Sequence, residues 1–320
     1  MTIEPSQFHY LGYKNILVTG GTGFLGRHVI AELQRSGVPK ERIFVPRRHQ
    51  CDLRTAANCR LVAKNMDVII HLAGNVGGIG YNQQNPARLF YDNLMMGVQL
   101  MEAARERNVG KFVAIGTVCS YPKHTPTPFS EDALWDGYPE ETNAPYGLAK
   151  KMLLVQAQTY RQQYGMNAIY LIPVNLYGPH DHFEPEKSHV IPALIKKIDD
   201  AKKTQAPSIQ VWGTGTASRE FLYVEDAARA IVLAARFYNK PEPVNIGAGR
   251  EITIRNLVET IARLMEYRGE ITWDATKPDG QPRRMLDTSR AQKEFDFVAD
   301  TDFEDGLRKT IAWYRQLPSV

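Results

Sequence analysis

Cysteine is scarce in this chain: Cys51, Cys59 and Cys119 are the only three among 320 residues. They cannot all pair and none sits in a CxxC, which argues against a disulfide framework and a thiolate metal site; no metal is expected, and the setting is expected to be reduced and cytoplasmic. Long apolar runs are lacking as well. Nothing approaches the roughly 18 consecutive apolar residues of a membrane helix, and no charged segment leads into an apolar one at the start, so neither secretion nor a membrane partner is expected. Dense Lys/Arg stretches are also missing. The 39 basic and 35 acidic residues leave only +4, without the concentrated charge of a nucleic-acid binder. There is no internal repeat and no low-complexity tract. What remains is an ordinary globular balance, with enough length for one large α/β unit or two intimate domains.

After a leader over residues 1–13, short apolar runs alternate with longer helical stretches. Strands are expected at 15–19, 43–46, 68–72, 112–116, 168–172 and 244–246, and helices at 24–36, 86–107, 145–164 and 224–238. This alternation predicts an α/β protein with a Rossmann-type, doubly wound parallel sheet. From residue 179 the pattern loosens and Pro, Gly and charge increase. The expected division is therefore a cofactor-binding domain over 1–178 and 221–247, and a smaller α/β substrate domain over 179–220 and 248–320.

The segment KNILVTGGTGFLG joins an apolar strand to a helix through Gly20, Gly23 and Gly26. Glycines let such a turn tighten and let backbone N–H groups approach a pyrophosphate at the helix N-terminus. An ordinary glycine turn is the alternative, and the flanking strand and helix weigh against it. Roughly 20 residues further on, an NAD enzyme places an acid. This chain has Arg47 and Arg48, cations suited to the 2′-phosphate of NADP(H), although a solvated basic turn would look the same. The expected cofactor contacts are Gly20, Gly21, Thr22, Gly23, Phe24, Leu25 and Gly26, then Arg47, Arg48 and Asp52, and Leu72, Ala73 and Gly74 at the end of the third strand.

Tyr146 and Lys150 in PYGLAK lie four residues apart, on one helical face. A phenol titrates near 10, and an adjacent ammonium is expected to favour the phenolate and bring it into working range. Spacing alone proves little, since Tyr10 and Lys14 share it; context separates the two. Tyr146 opens an apolar helix and follows Thr117, a hydroxyl at a strand end able to bond a substrate carbonyl. Cys119 and His189 add a thiol and an imidazole, which titrate near 8.5 and 6.5 and are suited to moving protons on carbons beside a ketone. Each taken alone reads first as a packing or structural residue, and the surroundings of the two change that.

At GTVCSYP (116–122), PYGLAK (145–150), NLYGPHDHFEPEKSHVIPALIKK (175–197), VWGTGTASREFLYVED (211–226) and KPDGQPRRMLD (277–287) the chain resembles the GDP-L-fucose synthase family, NADPH-dependent 3,5-epimerase/4-reductases of the extended short-chain dehydrogenase type. The resemblance runs from about Lys14 to the C-terminus. It implies a homodimer acting on a GDP-sugar, with Cys119 as epimerisation base, His189 as opposing acid, Tyr146 and Lys150 serving reduction, and Thr117 polarising the ketone. It also implies substrate contacts from Lys197, Trp212, Arg219 and Asp279. Pro173, Asn175 and Leu176 would lie along the nicotinamide, with Lys150 and His189 also touching the cofactor.

Three departures from that pattern stand out. Thr117 replaces the usual Ser, Gly21-Thr22 replaces a loop that often carries a basic residue, and Asn75 replaces a Lys before Val76. A sister enzyme for a colitose- or 6-deoxy-heptose-type GDP-keto-sugar therefore stays open. So does a simple 4-epimerase, although it would not need Cys119 with His189. A 4,6-dehydratase would carry an acidic pair where Val118-Cys119 stands, and a non-catalytic NADP sensor would typically lack Tyr146 or Lys150.

Overall fold

The structure is a computed structural model that describes residues 11–184, 188–277, 279 and 281–317; residues 1–10 of the expected leader lie outside the described residues. The first half runs β1 (Ile16–Thr19), α1 (Phe24–Arg35), β2 (Ile43–Phe44), α2 (Ala56–Val62), β3 (Val68–His71), α3 (Ile79–Gln84), α4 (Pro86–Glu106), β4 (Lys111–Ile115), α5 (Ala144–Tyr164) and β5 (Ala168–Pro173). It continues through β6 (Asn175–Tyr177), α6 (Val190–Lys203), β7 (Ser208–Trp212), β8 (Ser218–Tyr223), α7 (Val224–Phe237) and β9 (Val244–Ile246). The last elements are β10 (Glu251–Thr253), α8 (Ile254–Leu264), β11 (Glu270–Asp274), α9 (Ser289–Phe295) and α10 (Phe303–Tyr314).

Six strands form one sheet in the order β2-β1-β3-β4-β5-β9, with every neighbouring pair parallel. Strands β1, β3 and β4 are buried along their whole length, because helices cover both faces; this is why they read as unbroken apolar runs. The chain runs outward from β1 to β2, then returns to β3 on the other side. The strand ends at β1/β3 are thus the switch point, where α/β sheets open a ligand crevice. Helix α5 starts with Pro145 in its first turn and stops at Gly165, whose φ of +67° is the left-handed cap glycine accepts without strain.

The segments that looked loose hold regular structure. Strands β10, β8 and β6 form a three-stranded sheet, and β11 pairs with β7 in parallel. They surround a second core of Tyr177, Ile195, Ile198, Val211, Leu257, Ile261 and Leu307, among others. Part of the stretch 248–320 packs elsewhere: Leu286, Ala291, Phe295 and Phe297 belong to the first core. Among the described residues, no helix is long and apolar enough to cross a membrane, and no group of three or more His, Cys, Asp or Glu could hold a metal.

Candidate active site

The glycine loop lies at the β1/β3 crevice. Gly20 has φ +72°, and a Cβ there would come within 2.9 Å of the Ala73 nitrogen. At Gly26 an added Cβ would meet the Gly20 carbonyl oxygen at 2.2 Å, so α1 can approach the loop only without one. Gly23 is the N-cap of α1, and no side chain caps that end. The opening N–H groups of the helix therefore face the crevice without a side-chain acceptor, a fit for a dinucleotide pyrophosphate. The Ala73 amide donates to Thr19 Oγ1 at 3.3 Å, which lays residues 72–74 against the loop. Arg47 and Arg48 follow β2, exposed and without an ion pair among the described residues. The Asp52 carboxylate is committed to Arg54 at 2.6 Å, which holds its pKa down at about 2.

The structure brings Thr117, Cys119 and Tyr146 together. Thr117, two residues beyond the end of β4, is extended and accepts the Cys119 amide at 3.2 Å, starting a 3-10 turn over 118–120. Tyr146 lies beside Thr117 and within electrostatic reach of Cys119. Two contacts bolt the turn to the start of α5. Ser120 Oγ donates to the Gly147 carbonyl at 2.9 Å, and the Cys119 carbonyl rests against Gly147 where any Cβ would sit only 2.3 Å away. The requirement for glycine after Tyr146 was not foreseen.

One expectation is overturned. Tyr146 is pushed upward from an ordinary phenol, first by burial and then by the charge of Cys119, against a smaller opposing pull from Thr117. Lys150 is not among the groups that shift it, and burial lowers Lys150 itself to about 8. Tyr146 is therefore a phenol at neutral pH, the form that donates a proton. Lys150 Nζ lies beside Gly74, 3.8 Å from where a Cβ would be, so it shares the crevice with the loop. Behind it His71 is fully buried, bonded to Thr19 Oγ1 at 2.8 Å, and held neutral with a pKa near 3 by burial and by Lys150.

His189 is the N-cap of α6, and its imidazole makes no hydrogen bond among the described residues. It is open to solvent yet hemmed in by protein atoms, which, together with His182, depresses its pKa. The preceding carbonyl, of Ser188, sits where a Gly78 Cβ would meet it at 2.8 Å, so His189 adjoins the loop after β3. Asn75 anchors that loop to α4: its amide donates to Asn93 Oδ1 at 2.9 Å and its side chain to Asp92 at 3.1 Å. Pro173 ends β5, Leu176 lies in β6, and the Asn175 side-chain amide reaches the Glu220 carbonyl at 3.0 Å.

The four expected substrate contacts fall on β7, β8 and their surroundings. Lys197 donates to the Gln210 carbonyl at 2.7 Å, Trp212 is 66% exposed, and Arg219 donates to the Asp279 carbonyl at 3.0 Å. The Asp279 carboxylate accepts from Thr214 N and Oγ1, both at 2.7 Å. Burial, with the nearby Arg284 cation, brings Arg219 down to about 10. Glu220, also unforeseen, fastens this region. Its fully buried carboxylate accepts from the amides of Ala248 (2.5 Å), Gly249 (2.8 Å) and Leu286 (2.6 Å), and burial raises its pKa to about 7.

A parallel sheet with a glycine loop at its switch point, and a Tyr/Lys pair beside a strand-end hydroxyl, define an enzyme of the extended short-chain dehydrogenase type. The chain belongs to the NAD dependent epimerase/dehydratase family, whose family model matches residues 16–247, and within it to the GDP-L-fucose synthase family. It is 38% identical over 301 residues to GDP-L-fucose synthase 1 of Arabidopsis thaliana, covering 93% of this chain and 92% of that one. It is 34% identical over 305 residues to GDP-L-colitose synthase of Yersinia pseudotuberculosis, covering 93% and 97%. Among solved structures, a GDP-L-fucose synthetase from Naegleria fowleri bound to NADP superposes with a TM-score of 0.83 at 27% identity, covering 94% of each chain.

Proposed function

We propose that this protein converts GDP-4-keto-6-deoxy-D-mannose to GDP-L-fucose by 3,5-epimerisation and 4-reduction, in the cytoplasm and as a homodimer. The observation that carries the reading is the joint placement of Thr117, Cys119 and Tyr146 at one strand end, beside the loop that suits a dinucleotide. We assign the first core to cofactor binding and the second to the GDP-sugar, with Lys197 and Arg219 on the diphosphate, Trp212 offering an apolar face, and Asp279 fixing the 212–219 turn.

The ketone acidifies the hydrogens on its two flanking carbons. The Cys119 thiolate takes one such proton, leaving an enolate whose oxygen is met by the Thr117 hydroxyl. His189, as imidazolium, returns a proton on the opposite face; thiol and imidazole then reset by exchange with solvent, and the second centre follows. NADPH supplies the hydride for the reduction. Tyr146, held as a phenol, gives its proton to the carbonyl oxygen, and Lys150 would hold the nicotinamide ribose.

The test is incubation with GDP-4-keto-6-deoxymannose and NADPH, following product stereochemistry by NMR. A product reduced at carbon 4 without inversion sinks the epimerase half. The likeness to a GDP-L-colitose synthase favours one second reading, a related GDP-4-keto-deoxy sugar as substrate. Faster turnover of such a sugar than of GDP-4-keto-6-deoxymannose would select it.

Arg47 and Arg48 support a preference for NADPH. Replacing both with Ser should weaken NADPH binding at least tenfold, leaving NADH nearly unchanged, because charge-assisted bonds to the 2′-phosphate are lost. Equal affinity of the unmutated protein for the two cofactors contradicts this. The dimer rests on apolar surface of α4 and α5 that the chain itself does not cover: Phe90 and Tyr91 are 39% and 55% exposed, and Val155 and Tyr164 are 38% and 49% exposed. Pairing of these helices across a two-fold axis would bury them. Light scattering at micromolar concentration should give twice the chain mass, and a monomer mass refutes it.

A further inference from the structure

We propose that Arg284 is the cation that keeps Cys119 in its thiolate form, acting as a positioning residue for the epimerisation base. The inference rests on the reading of Cys119 given above. Its starting point is a contact across the fold: Arg284 Nη1 lies 4.0 Å from Cys119 Sγ, although the two residues are 165 positions apart in sequence. At that separation a guanidinium favours a charged sulfur over a neutral thiol.

Three features indicate that the contact is built. Arg284 is pinned at both ends: its Nε donates to Gln281 Oε1 at 3.1 Å, and its carbonyl accepts the Glu220 amide at 3.0 Å. Gln281 is buried, and its other end donates to the Lys123 carbonyl at 2.7 Å, which ties the 281–286 segment to the stretch just beyond the cysteine turn. The charge is also unspent. Arg283 next door pairs with Glu251, whereas Arg284 makes no ion pair among the described residues. Arg219 is a second, half-buried cation close enough to feel Arg284, with the Asp279 carboxylate acting on Arg219 in the opposite sense. Two ionisable groups placed against Cys119 among the described residues are Tyr146 from α5 and Arg284. They divide the work: charge on Cys119 disfavours a phenolate at Tyr146, so one cation holds the thiolate base while the acid keeps its proton. When the thiolate takes a substrate proton it becomes a neutral thiol, and the guanidinium needs no contact with the sugar.

The experiment is alkylation of Cys119 in the full NADP⁺-loaded protein, read by peptide mass spectrometry across the neutral and alkaline pH range. Cys51 and Cys59 are buried and resolved as separate peptides. Arg284→Gln and Arg284→Met should each move the midpoint of iodoacetamide labelling upward by about one pH unit, and Arg284→Lys should retain most of the unmutated profile. An unchanged midpoint in the neutral variants, or a Lys variant shifted as far as the Gln variant, overturns the proposal. A second measurement needs no variant. In the unmutated protein at low salt, the anionic reagent iodoacetate should gain on iodoacetamide at Cys119 relative to a free cysteine amide; no gain also overturns it. Labelling reports the Arg284–Cys119 pair whether or not the cysteine takes a substrate proton, so failure here is distinguishable from failure of the base assignment.

Discussion

In heavy water with NADP⁺ bound, Cys119→Ser should exchange the ketone-flanking hydrogens of GDP-4-keto-6-deoxymannose roughly 1,000-fold more slowly than the unmutated protein. Serine keeps the shape and nearly the volume, but its hydroxyl is far too weak an acid to supply a base near neutrality. The turn carrying it should persist, because its anchors are the Ser120 hydroxyl, the Thr117 oxygen and the backbone packed on Gly147, none of which is altered. Tyr146→Phe should show the opposite profile. NADPH oxidation collapses for want of the proton donor, while the hydrogens still exchange, with Thr117 left to meet the ketone oxygen. The two halves of the chemistry act on different atoms through different groups, so mutation should separate them. Deuterium incorporation followed by NMR reads both variants. If Cys119→Ser exchanges at the unmutated rate, Cys119 is a packing residue and the base lies elsewhere.

Gly147→Ala should lower the overall rate by about 100-fold while leaving cofactor binding close to normal. The new methyl would stand 2.3 Å from the Cys119 carbonyl oxygen, 2.8 Å from its carbon and 3.2 Å from the Ser120 amide. All three are backbone atoms, so no rotamer change relieves the clash; the start of α5 and the cysteine turn must part. Tyr146 and Thr117 sit on the two sides of that seam, and a displacement of about 1 Å between reacting groups costs on the order of 100-fold in rate. The glycine loop and residues 72–74 are not on the seam, which is why NADPH affinity serves as the control. Titrating NADPH by fluorescence and measuring kcat on the same preparation checks both parts. A variant with normal kcat shows that the seam tolerates the methyl.

Residues that act through neighbours in the chain were legible before the fold was known. The apolar runs of β1, β3 and β4, the glycines at 20, 23 and 26, and the four-residue step from Tyr146 to Lys150 carry their meaning in local spacing. The strands and helices expected in the first half accordingly lie within two residues of the observed ones, while α2 and α3 were not expected. The second half was harder, because its two small sheets pair segments far apart, such as β7 with β11. Strands of three to six residues amid Pro, Gly and charge do not stand out from loop.

What the sequence by itself determined is the parallel α/β plan, the dinucleotide turn and the identity of the groups available for acid–base work, since backbone periodicity and side-chain chemistry are local properties. Only the tertiary structure decided how those groups behave. Burial holds Tyr146 as an acid and lowers Lys150, reversing the simple expectation for an adjacent cation and phenol. Folding likewise sets Gly147 beneath Cys119, the Glu220 carboxylate beneath three distant amides, and the Arg284 guanidinium against the Cys119 sulfur. Desolvation and contacts across 28 to 165 residues depend on which surfaces meet, and no spacing along the chain records that.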